Sequence, residues 1–521
     1  MKIPFTKTAC AALALAAVTL YAFKTRYIQN TATPIRIETG MIAGVTDAAS
    51  GITSYKGVPF AAPPVGPLRW KTPQATQPWQ GVKKCDTYGA SPMQGKPVPF
   101  GVYTPEFLIA EKPISEDCLY LNVWTKAHKG DKKAVFVWIY GGGFVSGGGN
   151  VPIYDGEAMA KKGIIFVSIN YRVGVFGFMA HPDLTKESPD HASGNYGLLD
   201  QITALKWVKK NIAAFGGDPD NVTIDGQSAG SMSVNCLVAS PLAKGLFNRA
   251  IAESGSLMIA NGAFQTGTLT SAEQQGVKIA QTVNAATLED LRKVPAAVLM
   301  KAGGRYSPIA DGYVLPEPVY QIFAQGKQND VPLITGWNAD EGFGAAPKSK
   351  EVFKQQAKDQ YGADADEFLK VYPANTDEEA ARSQAKLSRD LVFAISGYKW
   401  AGMQSERGKA PVYLYYFERK LPATPDFVKY GAFHTGEVAY GLDNLKFLNR
   451  PWEPADQELA TLMATYWANF VKTGNPNSKG LPVWPKYNTN GKPAMIFDKT
   501  SGSTPLPDQE ELEFMLKRMG K

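Results

Sequence analysis

Ser228 lies in a segment whose residue types suit nucleophilic attack on a carbonyl carbon. Residues 226–230 read GQSAG, a G-x-S-x-G pattern, and they follow a short β-branched run at 222–224 (VTI). That run predicts a buried strand, and the small residues after it predict a sharp, strained turn into a helix. The chain contains 50 glycines, so the pattern can arise by chance. The case for catalysis therefore depends on partners elsewhere in the chain.

A base is the first partner that this serine needs, because a hydroxyl is a poor nucleophile until its proton is removed. Histidine suits that role at neutral pH. The chain has four histidines, at His128, His181, His191 and His434. Hydrolases with this turn place their residues in the order serine, acid, histidine, and only the last of the four follows Ser228. We predict His434, in the loop 431–437 (GAFHTGE), as the base and structural roles for the others.

The acid of such a triad must lie between the serine and the histidine. The best segment is 335–343 (TGWNADEGF), which directly follows a predicted buried strand. It offers two neighbouring carboxyl groups, Asp340 and Glu341, and spacing does not choose between them. Either could also be an ordinary turn carboxylate.

A glycine loop could supply donors for the oxyanion that forms when a carbonyl is attacked. Residues 140–144 read YGGGF after an apolar run, and backbone N–H groups serve best where no side chain blocks the approach. A phosphate cradle is the other use of such a loop, but the lysine and the Ser/Thr of a P-loop are missing here. We predict three donors, the N–H groups of Gly142, Gly143 and Ala229.

The elements that must position these residues read as an α/β fold. Apolar runs at 134–139, 164–170, 332–335 and 411–416 predict buried strands, and apolar residues between 197 and 215 recur at helical spacing. Alternation from 35 to 58 predicts antiparallel strands with turns at Gly40 and Gly51. Together these runs predict a mostly parallel central sheet covered by helices on both faces. Functional residues are then expected at the carboxyl ends of its strands.

Composition limits the classes of function. A net charge of +7 on 521 residues is modest, and acidic and basic residues alternate, so no nucleic-acid partner is expected. Residues 1–28 predict an export segment, with Lys2 and Lys7 before a nearly all-apolar stretch. Both a cleaved signal peptide and a retained anchor stay open. We expect a periplasmic or secreted protein, in contact with a membrane only if that segment is kept.

The cysteines leave a second question open. Cys10 falls in the export segment, and Cys236 is expected to be buried. Cys85 and Cys118 bracket a proline-rich stretch, and an oxidising compartment would permit them to form a disulfide. Unpaired buried thiols are the alternative.

With these residues in view, the chain resembles the type-B carboxylesterase, lipase and cholinesterase family of α/β hydrolases. The likeness runs from residue 35 to the C-terminus and rests on the motifs EDCLYLNV (116–123), GNYGLLDQ (194–201) and FGGDP (215–219), continuing to the GQSAG segment. It implies an α/β-hydrolase domain over 35–521 with long loop insertions. It also implies Ser228 as nucleophile, His434 as base and Glu341, rather than Asp340, as acid.

The same resemblance implies further roles. It assigns the oxyanion hole to the three N–H groups predicted above and gives Ser254 a supporting role beside the acid. It also implies structural ion pairs between Arg69 and Glu116 and between Arg172 and Asp200. The family's first loop cysteine aligns with Pro92, so the resemblance does not secure a disulfide. Residues 86–117 contain no tryptophan, which argues against a choline ester as substrate.

The expected activity is hydrolysis of small-molecule carboxylic esters through an acyl-enzyme, with no metal and no organic cofactor. Two alternatives remain: a lipase acting on long-chain esters, and a catalytically silent binding protein on the same fold. The acyl and alcohol groups, and the oligomeric state, are not specified by the sequence. Specificity should depend on loops such as 86–114 and 255–275.

Overall fold

The computed structural model describes residues 29–260, 262–342, 346–425 and 427–519. The predicted export segment, 1–28, lies outside these residues. The strands are β1 (Gln29–Thr31), β2 (Ile35–Ile37), β3 (Gly40–Ala43), β4 (Val45–Asp47), β5 (Thr53–Pro59), β6 (Val82–Lys84), β7 (Ser91–Pro92), β8 (Ile114–Ser115), β9 (Tyr120–Thr125), β10 (Lys133–Ile139), β11 (Ile165–Ile169), β12 (Gly217–Gln227), β13 (Arg249–Glu253), β14 (Gly267–Thr268), β15 (Ile309–Ala310), β16 (Leu333–Asn338), β17 (Val412–Phe417), β18 (Pro493–Phe497) and β19 (Gly502–Pro505).

Helices are distributed along the whole described chain. They are α1 (Glu157–Lys161), α2 (Gly174–Phe178), α3 (Pro182–Glu187), α4 (Tyr196–Asn211), α5 (Ala229–Ala239), α6 (Leu269–Thr282), α7 (Leu288–Lys293), α8 (Ala296–Leu299), α9 (Val319–Ala324), α10 (Lys350–Tyr361), α11 (Ala365–Val371), α12 (Asp377–Arg389), α13 (Ile395–Arg407), α14 (Val438–Gly441), α15 (Pro454–Thr473) and α16 (Gln509–Met519). A π-helical turn, Asp390–Ala394, joins α12 to α13. In residues 29–519, apart from the gaps given above, no helix has the length and apolar character needed to cross a membrane.

The large sheet has 12 strands in the order β1-β4-β5-β9-β11-β10-β12-β13-β16-β17-β18-β19. Every neighbouring pair from β11 to β18 in this order is parallel, and the pairs at both edges are antiparallel. Strand β11 is buried along its whole length, as expected for a strand covered on both faces. The predicted mostly parallel sheet with helices packed around it is therefore confirmed.

Individual elements also agree with their sequence patterns. The run at 222–224 lies inside β12, and α5 begins directly after the predicted turn. The helical spacing between 197 and 215 is observed as α4 followed by a 3₁₀ turn at Ile212–Phe215. The alternation from 35 to 58 forms β2 to β5, with antiparallel pairing of β2 with β3 and of β4 with β5.

The two predicted ion pairs form and fix loops to the fold. Arg69 donates to both carboxylate oxygens of Glu116, at 2.7 and 2.5 Å, and its remaining nitrogen donates to the carbonyl of Val294. Arg172 and Asp200 are buried, and two guanidinium nitrogens lie 2.8 Å from the carboxylate oxygens. Buried charges are tolerated when they are paired in this way.

The disulfide considered between Cys85 and Cys118 does not form, which corrects that expectation. Both residues, and Cys236, are buried free thiols. Hydrogen bonds of 2.8 Å to Ala43 and Lys56 hold the backbone of Cys85 beside β3 and β5. Cys118 instead lies among the charges of the buried Arg172–Asp200 pair. Burial raises the pKa of Cys85 to about 11, which disfavours the thiolate that disulfide formation needs.

Candidate active site

Ser228 occupies a strained turn between β12 and α5. Its backbone has φ 58° and ψ −122°, a conformation that costs energy for a residue with a side chain. The flanking glycines make the turn feasible: a Cβ on Gly226 would lie 2.5 Å from the carbonyl carbon of Gly230. A Cβ on Gly230 would lie 2.0 Å from the carbonyl oxygen of Ile139 on β10. Backbone strain at a single serine is the kind of feature that marks a functional position.

His434 and Glu341 meet at the carboxyl edge of the sheet. Glu341 follows β16, and His434 lies in the loop that follows β17. The Nδ1 atom of the imidazole and Oε2 of the carboxylate are 2.8 Å apart. The other carboxylate oxygen accepts the N–H of Asn338 at 2.9 Å. Both oxygens of Glu341 are therefore held, which orients the carboxylate toward the ring.

Burial disfavours the charged form of each member of this pair. It lowers the pKa of His434 to about 4. It also raises the pKa of Glu341, while hydrogen bonds from the Asn338 N–H and the Ser254 hydroxyl favour the carboxylate and oppose that rise. A neutral imidazole at neutral pH has a free lone pair on one nitrogen and can accept a proton. His434 is thus held in the neutral form that a general base needs.

Asp340, the other carboxyl group considered, points elsewhere. It is exposed, whereas Glu341 is 1% exposed. Its Oδ2 accepts the N–H of Ala432 at 2.9 Å, and its own N–H donates to the carbonyl of Ala432. Asp340 therefore fastens the histidine loop through the backbone and does not face the imidazole ring.

The glycine loop after β10 packs against the turn that carries the serine. A Cβ on Gly141 would lie 3.0 Å from Cβ of Ser228. Gly142 and Gly143 are exposed, with φ of 117° and 62°. Ala229 is the first residue of α5, where N–H groups have no acceptor within their own helix. The three N–H groups predicted as oxyanion donors thus lie on two segments that flank Ser228.

Several residues around His434 were not anticipated from the sequence. Nε2 of Gln227 lies 3.2 Å from the ring Nε2, and its Oε1 accepts the Thr435 hydroxyl at 3.3 Å. The hydroxyl of Tyr103 donates to the His434 carbonyl at 3.1 Å. The ring of Phe393 stacks on the imidazole. Gln227 could have been suspected from its place beside Ser228, but nothing local signals the other contacts.

The remaining histidines lie outside this arrangement, as predicted. His128 and His191 are exposed. His181 caps α3 by accepting the N–H of Asp183 at 3.1 Å. None of the three is a partner of Glu341 among the hydrogen bonds of the described residues.

Ser254 and Glu437 form a second layer behind Glu341. Ser254 has φ 54°, and its hydroxyl lies 3.5 Å from Oε1 of Glu437. The Asn338 side chain donates to the other oxygen of Glu437 in a short contact and to the carbonyl of Phe433 at 2.9 Å. Burial, and then the nearby Glu341, raise the pKa of Glu437 to about 7. This layer ties the end of β16 to the histidine loop.

Two further buried carboxyl groups adjoin this layer on β12 and β13. Asp225 is fully buried, and neither of its oxygens has a hydrogen-bond partner among the residues that the structure describes. Glu253 accepts Nε1–H of Trp467 at 2.8 Å through one oxygen only. Burial, joined by the charge of Glu437, raises the pKa of Asp225 well above its usual range. We therefore expect Asp225 to hold a proton in the folded protein.

Replacing Asp225 by asparagine is expected to make the protein more stable at alkaline pH. A carboxyl group whose pKa is higher in the folded state loses stability as pH rises from its unfolded pKa, about 4, toward the folded value. The slope for one such group is at most about 1.4 kcal/mol per pH unit. Asparagine has no proton to lose, so Asp225→Asn should show a smaller decline in unfolding free energy between pH 5 and pH 8. Urea titrations at both pH values measure this difference.

The exposed Asp366, in the first turn of α11, provides the matched control. Asp366→Asn measures how far the loss of an exposed carboxyl group alone changes the unfolding free energy at the two pH values. Equal pH dependence in wild type and Asp225→Asn would show that Asp225 is ionised in the folded protein.

Comparison with known proteins places this chain in a known family. A model of the carboxylesterase family matches residues 31–515. Over 483 residues the chain is 34% identical to the fumonisin B1 esterase of Sphingopyxis macrogoltabida, covering 88% of this chain and 86% of that protein. It is 34% identical over 508 residues to the para-nitrobenzyl esterase of Bacillus subtilis, covering 92% and 98% of the two chains. It is 33% identical over 502 residues to the human cocaine esterase, covering 88% and 87%.

Proposed function

Since the chain belongs to the carboxylesterase family, a group of carboxylic ester hydrolases with the α/β-hydrolase fold, we propose that it works through an acyl-enzyme on Ser228. His434 is the general base in this proposal, and Glu341 orients it. The observation that carries the proposal is the 2.8 Å hydrogen bond between His434 Nδ1 and Glu341 Oε2, beside the strained turn of Ser228. Both groups lie at the edge of the sheet where a triad is expected.

Proton transfer begins the proposed reaction. Nε2 of His434 takes the proton from the Ser228 hydroxyl as its oxygen attacks the ester carbonyl. The ring becomes a cation at this moment, and the carboxylate of Glu341 at Nδ1 stabilises it. The imidazolium then returns the proton to the alcohol, which leaves. Water repeats the cycle on the acyl-enzyme and releases the acid.

The developing oxyanion requires preorganised donors. We assign them to the N–H groups of Gly142, Gly143 and Ala229, which belong to the loop and helix beside Ser228. Removing one donor of this kind typically costs about 3 kcal/mol of transition-state stabilisation. Ser254 supports the acid from behind through the hydrogen bond that opposes the rise in the pKa of Glu341.

The substrate class follows from the family at a coarse level. The chain acts on small-molecule carboxylic esters, as its relatives do. The names of three relatives at 33–34% identity mention fumonisin B1, para-nitrobenzyl and cocaine, which differ in their chemistry. The proposal therefore covers the reaction and its residues and leaves the acyl and alcohol groups to a panel of esters.

Covalent labelling by a fluorophosphonate tests the proposal. The reagent forms a stable adduct only with a serine whose base removes its proton, so we expect one label per chain, on Ser228. Mass spectrometry of the labelled peptide locates the adduct. The Ser228→Ala variant should take up no label and should lose ester hydrolysis. Ser231→Ala, in the first turn of the helix α5 that follows Ser228, is the control. Wild-type protein that hydrolyses esters with the label on another residue would contradict the assignment, and wild type without label or activity would favour the silent binding protein.

A further inference from the structure

Phe393 lies on the π-helical turn between α12 and α13, and its ring stacks on the imidazole of His434. The ring centroids are 4.3 Å apart, and the planes meet at 17°. Phe393 is 1% exposed, so this is an interior contact. Single π-helical turns are rare within helices and often occur at functional sites, because the extra residue redirects the side chains that follow.

The turn is anchored at its N-terminal end. Asp390, at its start, is buried, receives the Tyr372 hydroxyl at 2.8 Å and pairs with Arg389 at 2.6 Å. Arg389 also donates to the hydroxyl of Tyr416 at 2.6 Å and to the carbonyl of Ala339 at 3.2 Å. Ala339 lies two residues before Glu341. One rigid segment therefore contacts the loop of the acid and the ring of the base.

Packing of α12 on the acid loop is equally close. A Cβ on Gly342 would lie 2.8 Å from the carbonyl oxygen of Ala385, on α12. Only a glycine directly after Glu341 allows this approach. The loop that carries Glu341 is thus held close to α12, the helix that leads into the π-helical turn.

We propose that Phe393 is a positioning residue that holds the His434 ring, by face-to-face stacking, in the plane in which Nδ1 meets Glu341. The hydrogen bond to Glu341 fixes the position of Nδ1, and an aromatic face packed against the ring opposes tilting of the imidazole about that bond. This inference rests on the proposed function, because a fixed ring plane matters only if the opposite nitrogen must meet Ser228.

The stacking also has an electrostatic consequence during turnover. When His434 becomes an imidazolium, the negative face of the Phe393 ring attracts it more strongly than it attracts the neutral ring. The contact is therefore stronger in the transition state than in the resting enzyme, and interactions of that kind raise kcat and leave KM little changed.

Three variants of Phe393 test the proposal. Phe393→Leu and Phe393→Met remove the aromatic face with little loss of volume, and Phe393→Tyr keeps the face. For the leucine and methionine variants we expect kcat to fall by roughly 3- to 30-fold, with KM changed much less. The tyrosine variant should retain most of kcat. The methionine variant serves if the leucine variant does not fold, and thermal unfolding checks both.

The pH profile of kcat/KM tests the positioning role separately, because a residue that only stabilises the fold would not change this profile. Phe393 contributes to the burial that lowers the pKa of His434 to about 4. Removing its ring takes away the attraction to the imidazolium but also admits water. Because burial is the main cause of the low pKa of His434, the acid limb of the profile should shift upward toward the ordinary histidine value, near 6.5. Phe368, which is also 1% exposed and whose ring stacks on that of Tyr361 with centroids 4.2 Å apart, is the matched control. Phe368→Leu should leave the acid limb in place.

Two outcomes would overturn the positioning role. A change in KM alone with an unshifted acid limb would make Phe393 part of the substrate pocket. Unchanged kinetics in the leucine and methionine variants would show that Phe393 has no role in catalysis. In both cases, fluorophosphonate labelling of Ser228 in the wild type would still support the proposed function, whereas failure of that labelling would remove the function itself.

Discussion

Replacing His434 by glutamine is expected to lower kcat by roughly 10⁴- to 10⁶-fold while substrate still binds. The variant keeps a polar group beside Glu341 but has no nitrogen that can accept the serine proton and return it to the leaving alcohol. Residual hydrolysis should come from the oxyanion donors and substrate positioning alone. Steady-state assays with an activated ester measure kcat. The rate of fluorophosphonate labelling should fall by a similar factor.

The other three histidines provide matched controls for this loss. His128→Gln, His181→Gln and His191→Gln should each retain wild-type kcat, because these residues are exposed or cap α3. A Ser228→Ala/His434→Gln double variant should be about as slow as either single variant, since residues that act as one unit are not additive. If kcat of the double variant fell by the product of the two single losses, His434 would act independently of Ser228.

Much of this architecture could be predicted because its signals are local. The strands β10, β11, β16 and β17 are buried on both faces, so each appears in the sequence as a short continuous apolar run. The turn at Ser228 is marked by glycines that no larger residue could replace. The order of the residues along the chain then selected His434 from the four histidines. In the structure its Nδ1 atom is hydrogen-bonded to Glu341.

Other features depend on contacts between distant segments and left no local trace. Phe393 reaches His434 because a π-helical turn redirects it, and such a turn has no distinctive composition. Asp225 resembles an ordinary polar residue before a turn, yet it is completely buried at the end of a central strand. The thiols of Cys85 and Cys118 could not be judged from spacing, because disulfide formation depends on where two backbones lie in space.

Asp340 and Glu341 are adjacent carboxyl groups, and replacing each in turn tests which of them is the acid. Glu341→Gln should lower kcat by roughly 10³- to 10⁴-fold, because an amide at this position can neither fix the imidazole tautomer nor stabilise the imidazolium. Asp340→Asn should lower kcat by less than about threefold, since its amide oxygen can still accept the N–H of Ala432. Both changes remove one carboxylate and preserve side-chain size. A difference in kcat between the two variants therefore shows which carboxylate acts on the imidazole.

Thermal unfolding of the two variants separates catalysis from folding. Glu341 is buried, and burial penalises its charged form and raises its pKa, so the neutral glutamine avoids that penalty while it keeps the side-chain size. We therefore expect Glu341→Gln to remain folded while it loses activity, which is the signature of a catalytic acid rather than a structural one. A folded Asp340→Asn variant with the larger loss of kcat would reverse the assignment, because it would mean that the exposed carboxylate reaches the imidazole during turnover.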